Sequence, residues 1–143
     1  MNDHSLIGTW RLVSYELESA AGAISYPYGR DPTGYLIYAA DGYMSVAFMT
    51  GGRIPYAAGD RLRGTPEELS AAADTYVSYC GRYELLEDRV IHHIEVSLFP
   101  NWVGVAQTRY LTLDGDRLTL RTPPVLMGGS PQTGHVTWER ALE

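Results

Sequence analysis

Residues 34–46 read GYLIYAADGYMSV. Apolar and aromatic side chains alternate up to Asp41-Gly42, and the alternation resumes from Tyr43 to Met49. Period-two patterning on both sides of an Asp-Gly pair marks two antiparallel strands joined by a two-residue hairpin. The same pattern recurs on either side. It predicts strands over 7–17, 34–40, 43–49, 82–86, 90–97, 103–113, 117–122 and 134–142, with short turns at Glu87-Asp88 and Asp114-Gly115-Asp116. One helix interrupts them, between the third and fourth strands. Thr65-Pro66-Glu67-Glu68 is a capping box with proline at the first helical position, and the helix is expected over 66–79.

The connections alternate in length. The second, fourth and sixth are tight turns, while residues 18–33, 50–81, 98–102 and 123–133 form longer ones. An eight-stranded up-and-down antiparallel barrel, closed at one end and loop-rich at the other, has this parity. The fold class is therefore all-β, one domain over 1–143, without repeat or linker. Gly8-Thr9-Trp10 and Trp138-Glu139-Arg140 both fall at the tight-turn end, where Arg140 is expected to stack on Trp10 and plug the base.

A G-x-W on the first strand with an arginine on the last resembles the calycin pattern of lipocalins and fatty-acid-binding proteins. More specifically, LIGTWRLVSYEL, GYLIYAADGYMSV and HHIEVSLFPNWVG, in that order, resemble the microbial lipocalin-like domain family. The resemblance runs from Leu6 to Arg140 and implies an eight-stranded barrel around an internal cavity. It implies little about activity, although some members sit among natural-product pathway proteins. The R-x-Y pair with which fatty-acid-binding proteins hold a carboxylate is missing from the last strand. The secretion signal of transport lipocalins is not expected here.

Composition sets further bounds. The chain has 143 residues, 45% hydrophobic and 20% charged, so it can bury a core. A net charge of -6 argues against a nucleic-acid partner. No apolar run reaches membrane-spanning length, and MNDHSLIGTW has no signal-peptide character, so a cytoplasmic location is expected. The single Cys80 suits a reducing compartment. All eleven basic residues are arginine, which excludes lysine Schiff-base chemistry. No glycine-rich phosphate loop is present, and no cofactor is expected.

The cavity wall is read from residues two apart. Val90, His92, Ile94 and Val96 share one face; Ile91, His93, Glu95 and Ser97 share the other. On the following strand Gln107 and Arg109 interrupt an apolar face. The valines favour His92 inward. A buried Arg109 would need a carboxylate, which favours His93 and Glu95 inward, and the resemblance also points to His-x-Glu and Gln-x-Arg as a unit. The expectation leans to His93, Glu95, Gln107 and Arg109 as one inner cluster, with His92 as the alternative. Tyr35, Tyr43 and Trp102 join the candidate ligand contacts; Tyr38, Tyr79 and Tyr83 lie on or near the same walls. Adjacent histidines face opposite ways, so no metal site is expected, and a haem on a single histidine has no second cue. Val125, Leu126 and Met127 are apolar enough to act as a lid.

Two functions fit. A binding module would hold a small, mostly apolar, ring-containing molecule, acting as a monomer or homodimer. A cofactor-free isomerase, cyclase or dehydratase would instead use His93 and Glu95 as acid and base, with Arg109 stabilising an oxyanion.

Overall fold

A computed structural model describes residues 5–141; His4 and Leu142, the last residue expected in the closing strand, lie outside them. The elements are β1 (Gly8–Ser19), β2 (Ile24–Ser25), β3 (Thr33–Tyr38), β4 (Tyr43–Met49), α1 (Pro66–Asp74), β5 (Tyr76–Leu85) and β6 (Arg89–Ser97). A 3-10 turn (Pro100–Trp102), β7 (Ala106–Asp114), β8 (Arg117–Arg121), β9 (Val125–Met127) and β10 (Ser130–Arg140) follow. The strand order is β2-β1-β3-β4-β5-β6-β7-β8-β10-β9, and β1 also pairs with β10. Eight long strands thus close into an antiparallel barrel, leaving no open edge among them. The two short strands add to its loop-rich end, and β2 moves the helix to the gap between β4 and β5.

Local chemistry explains where elements start and stop. In the founding hairpin, Gly42 N donates to Ala39 O at 3.2 Å and Ala39 N donates to Tyr43 O at 2.8 Å. The loop is therefore three residues, 40–42, with Gly42 at φ 92°, and not the two-residue turn that Asp-Gly suggests. Thr65 caps α1 as expected, its hydroxyl accepting from Glu68 N while Glu68 Oε1 accepts from Thr65 N at 2.9 Å. The helix, however, ends at Asp74 and not at Tyr79. Tyr76 to Tyr79 alternate, and Val77 and Tyr79 face inward opposite Phe48 and Val46, so sheet pairing takes this aromatic and β-branched segment.

Two bulges reset the inward face. One lies between Leu12 and Ser14 in β1, so that Trp10 and Leu12 point in before it and Tyr15 and Leu17 after it. The other opposes β5 and β6 at Cys80 and Gly81. A Cβ on Gly81 would stand 1.9 Å from the His93 carbonyl oxygen, so only glycine permits the approach.

The base of the barrel is dry and tightly packed. Leu6, Trp10, Leu36, Tyr38, Val90 and Leu118 are almost wholly buried, each aliphatic one contributing roughly 1.5–3 kcal/mol. Trp10 Nε1 donates to Leu6 O at 2.9 Å. The Arg140 guanidinium lies 4.2 Å from the Trp10 ring centroid and donates to the carbonyls of Ser5 and Ile7. The expected plug is present, and the opposite end is free to hold a cavity.

Candidate ligand-binding site

That cavity measures about 560 Å³, within the range of roughly 300–1,000 Å³ typical of small-molecule sites. Leu36, Val46, Phe48, Leu120, Val136 and Trp138 form its floor and apolar walls. Tyr15, Tyr28 and Phe48 add an aromatic cluster with ring centroids 5.0–5.5 Å apart. The end of α1 (Ala73 and Asp74), the β6–β7 connection (Leu98, Phe99 and Trp102) and β9 surround the mouth. The helix and residues 125–128 therefore share one end, as the loop parity requires. Val125 to Met127 form a strand against Ser130 to Gln132, pinned by Gln132 Nε2 donating to Met127 O at 2.9 Å. Leu126 nevertheless remains 77% exposed.

The inward histidine is His92, which is 1% exposed. His93 and Glu95, favoured above for the inner wall, lie on the outer face. The His93 side chain is 46% exposed and meets Glu84 at 3.2 Å, while Glu95 faces Arg82 at 3.8 Å. The physical reason is that Val90, His92 and Ile94 carry the apolar face inward, and this outweighs the expected pairing of Arg109 with Glu95. The bulge at Gly81 then breaks the alternation, leaving Val96 outside and bringing Ser97 opposite the inward Tyr79. Tyr35 and Tyr43 are also on the outer face, with Tyr43 beneath Arg82. Gln107, Arg109 and Trp102 do line the cavity.

His92 is held from both sides. Tyr38 Oη lies 2.7 Å from Nε2, and Tyr79 Oη lies 2.7 Å from Nδ1. A neutral imidazole has one N–H and one acceptor nitrogen, so one hydroxyl donates to it and the other accepts. Tyr38 is fully buried away from the cavity, with the imidazole as its one hydrogen-bond partner among the described residues. Polar satisfaction therefore has Tyr38 donate to Nε2 and Nδ1–H donate to Tyr79. The Tyr79 proton is left for the cavity that Tyr79 lines.

A family model for the lipocalin-like domain matches residues 7–141. The chain belongs to this family. A relative from Aspergillus oryzae (strain ATCC 42149 / RIB 40), the 4'-hydroxy-3'-methoxypropiophenone carrier protein ppsC, is 35% identical over 106 residues, covering 68% of this chain and 96% of that protein.

In this lipocalin-like domain the electrostatics follow from burial. Burial, with the Arg109 and His93 charges adding to it, drives the His92 pKa down to about 3, so the ring stays neutral. Burial raises Tyr38 well above its ordinary value and raises Tyr79 and Tyr15 also, with Arg109 pulling all three the other way. Tyr28, buried and close to Tyr15 and Asp74, rises to about 12. Arg109 itself donates to Gln107 Oε1 and to Thr108 O and also reaches the Tyr79 hydroxyl. Among the described residues it has no carboxylate within ion-pair distance. Nor do three His, Cys, Asp or Glu side chains gather there as a metal site would require.

Sequence reasoning missed Tyr15, Tyr28 and Trp138 as cavity residues. Strict alternation from Trp10 puts Tyr15 outside, and only the bulge brings it in. Tyr28 sits in a connection, where period gives no direction. Trp138 had a usable signal, since it shares a face with the buried Val136.

Proposed function

We propose that this protein is a carrier enclosing one small, mostly apolar aromatic molecule, of the phenolic aryl ketone type, made in secondary metabolism. The observation that carries the reading is the aromatic-lined cavity of about 560 Å³, closed at the base by Trp10 and Arg140 and polar at one wall through His92, Gln107 and Arg109. A shape with apolar walls and a few fixed polar groups suits an aromatic ring bearing oxygen substituents. The cargo named for the Aspergillus oryzae relative has this chemistry. The cavity equals the liquid share of roughly nineteen waters, so a second ring or a longer acyl chain also fits.

The catalytic alternative loses its acid–base pair, because His93 and Glu95 stand outside the barrel. His92 does not replace them: both its nitrogens are engaged by tyrosines, and burial resists its protonation. Isothermal titration with 4'-hydroxy-3'-methoxypropiophenone and a panel of one- and two-ring phenolic ketones tests the carrier reading. Saturable one-to-one binding with a negative heat-capacity change is expected. Absence of saturable binding across the panel would overturn it.

A further inference from the structure

Three groups on the inner wall, Arg109, Gln107 and Tyr79, keep hydrogen-bond donors for the cavity. Arg109 lines the cavity without a carboxylate partner among the described residues. Gln107 spends its carbonyl oxygen on Arg109, which leaves its amide N–H groups. Tyr79 accepts from His92 and so retains its own O–H for the cavity. Trp138 lines the same space with its ring, but its indole N–H is enclosed and is not offered to a ligand. A buried donor left unpaired is costly, and three donor groups on one wall are not accidental decoration of an apolar site.

The charges are also separated by depth. Arg109 acts on Tyr15, Tyr38, Tyr79 and His92, the groups of the inner wall. Asp74, the one carboxylate among the described cavity-lining residues, sits at the mouth and acts on Tyr28. A ligand with an anionic end is thus drawn inward and repelled at the rim, so its apolar remainder lies under β9.

We infer that the site takes an acidic phenol or enol in its ionised form, the oxyanion held by Arg109 with Tyr79 as a further donor. This rests on the carrier reading and deepens it from an aromatic cargo to an oxyanion cargo. It is binding coupled to one proton loss: the phenolic O–H gives its proton to solvent, the electron pair stays on oxygen, and no other bond of the ligand is made or broken. The groups around the site whose pKa is shifted by burial keep their charge state through the neutral range. His92 from β6 stays neutral because burial holds its pKa near about 3, and burial raises Tyr15 from β1, Tyr28 from the β2–β3 connection and Tyr79 from β5. Asp74 from α1 faces only the mouth, and the guanidinium of Arg109 from β7 is cationic throughout.

The test uses 4-nitrophenol, whose ionised form absorbs at longer wavelength, and its methyl ether 4-nitroanisole, which cannot ionise. Bound 4-nitrophenol is expected to ionise at least about one pH unit below the free probe, equivalent to about tenfold preference for the phenolate. Arg109→Gln should remove most of that displacement, and Tyr79→Phe a smaller part; the wild-type titration alone decides if either variant fails to fold. Ionisation of the bound probe at the free pH or above would overturn the inference. If 4-nitroanisole binds as tightly as ionised 4-nitrophenol, the carrier reading stands and the oxyanion preference falls. If neither probe binds, both readings fall.

Discussion

Lowering the pH should unfold this barrel through one histidine. His92 is buried between two tyrosine hydroxyls and its pKa falls from an ordinary value of 6.5 to about 3, first because burial removes water from the charged form. In the unfolded chain it returns to the ordinary value. Because the folded pKa is the lower one, the stability tied to the neutral ring is fully present above pH 6.5 and is lost as pH falls toward the folded value. Each pH unit inside that window costs about 1.4 kcal/mol, so moving from about pH 7.5 to about pH 5 should cost about 2 kcal/mol through His92. Urea unfolding of wild type and His92→Gln at both pH values measures this. The glutamine amide can still donate to one tyrosine and accept from the other, but it does not titrate. The variant should be less stable at both pH values, and its loss between them should be smaller than that of wild type by about 2 kcal/mol. Contributions from the remaining histidines and carboxylates are common to both proteins and cancel in the difference. Equal losses in the two proteins would refute the neutral-buried assignment. So would an imidazole resonance for His92 titrating near its ordinary value.

Arg140→Ala removes the guanidinium that stacks on Trp10 and caps the carbonyls of Ser5 and Ile7. It should cost about 2 kcal/mol in chemical denaturation while ligand affinity stays unchanged, since the cavity lies at the other end. Gly81→Ala drives a Cβ to 1.9 Å from the His93 carbonyl, and either the bulge opens or the strands part. A loss of about 3 kcal/mol is expected, with hydrogen exchange accelerated in β5 and β6; a variant as stable as wild type would show that the bulge is not constrained there.

The barrel was legible because its evidence is distributed. Alternation in eight segments, tight turns at every second connection, and Trp10 and Arg140 meeting at one end all point to the same closed sheet, so local misreadings did not change it. Those misreadings share a cause. The helix was carried to Tyr79 because apolar residues after a strong cap continue a helical pattern, and only pairing of Val77 and Tyr79 with β4 reveals a strand. Ser97 was placed by counting in twos across β6, the same count across β1 would turn Tyr15 outward, and a bulge in each ladder shifts the count by one. Bulges depend on which residue faces which across the sheet, a relation absent from either strand's own sequence. Nothing in the sequence around Gly81 marks it as the site of a close backbone approach.

The inward histidine was the sharper test, because two physical arguments opposed each other. Hydrophobic patterning favoured His92; the cost of stranding Arg109 favoured His93 with Glu95. The second argument assumed that a buried cation must be matched by the protein's own carboxylate. Arg109 escapes that requirement by lying half-buried on a cavity wall, donating to Gln107 and Thr108 and reaching the Tyr79 hydroxyl, with no carboxylate of its own. The penalty is deferred until a ligand fills that space. An apolar molecule without an acceptor would then desolvate the guanidinium and the Tyr79 hydroxyl with nothing in return. A molecule carrying an oxyanion would satisfy both at once. Selectivity in such a barrel comes from the cost of the wrong occupant as much as from contacts to the right one, and the unpaired arginine is the residue that sets that cost.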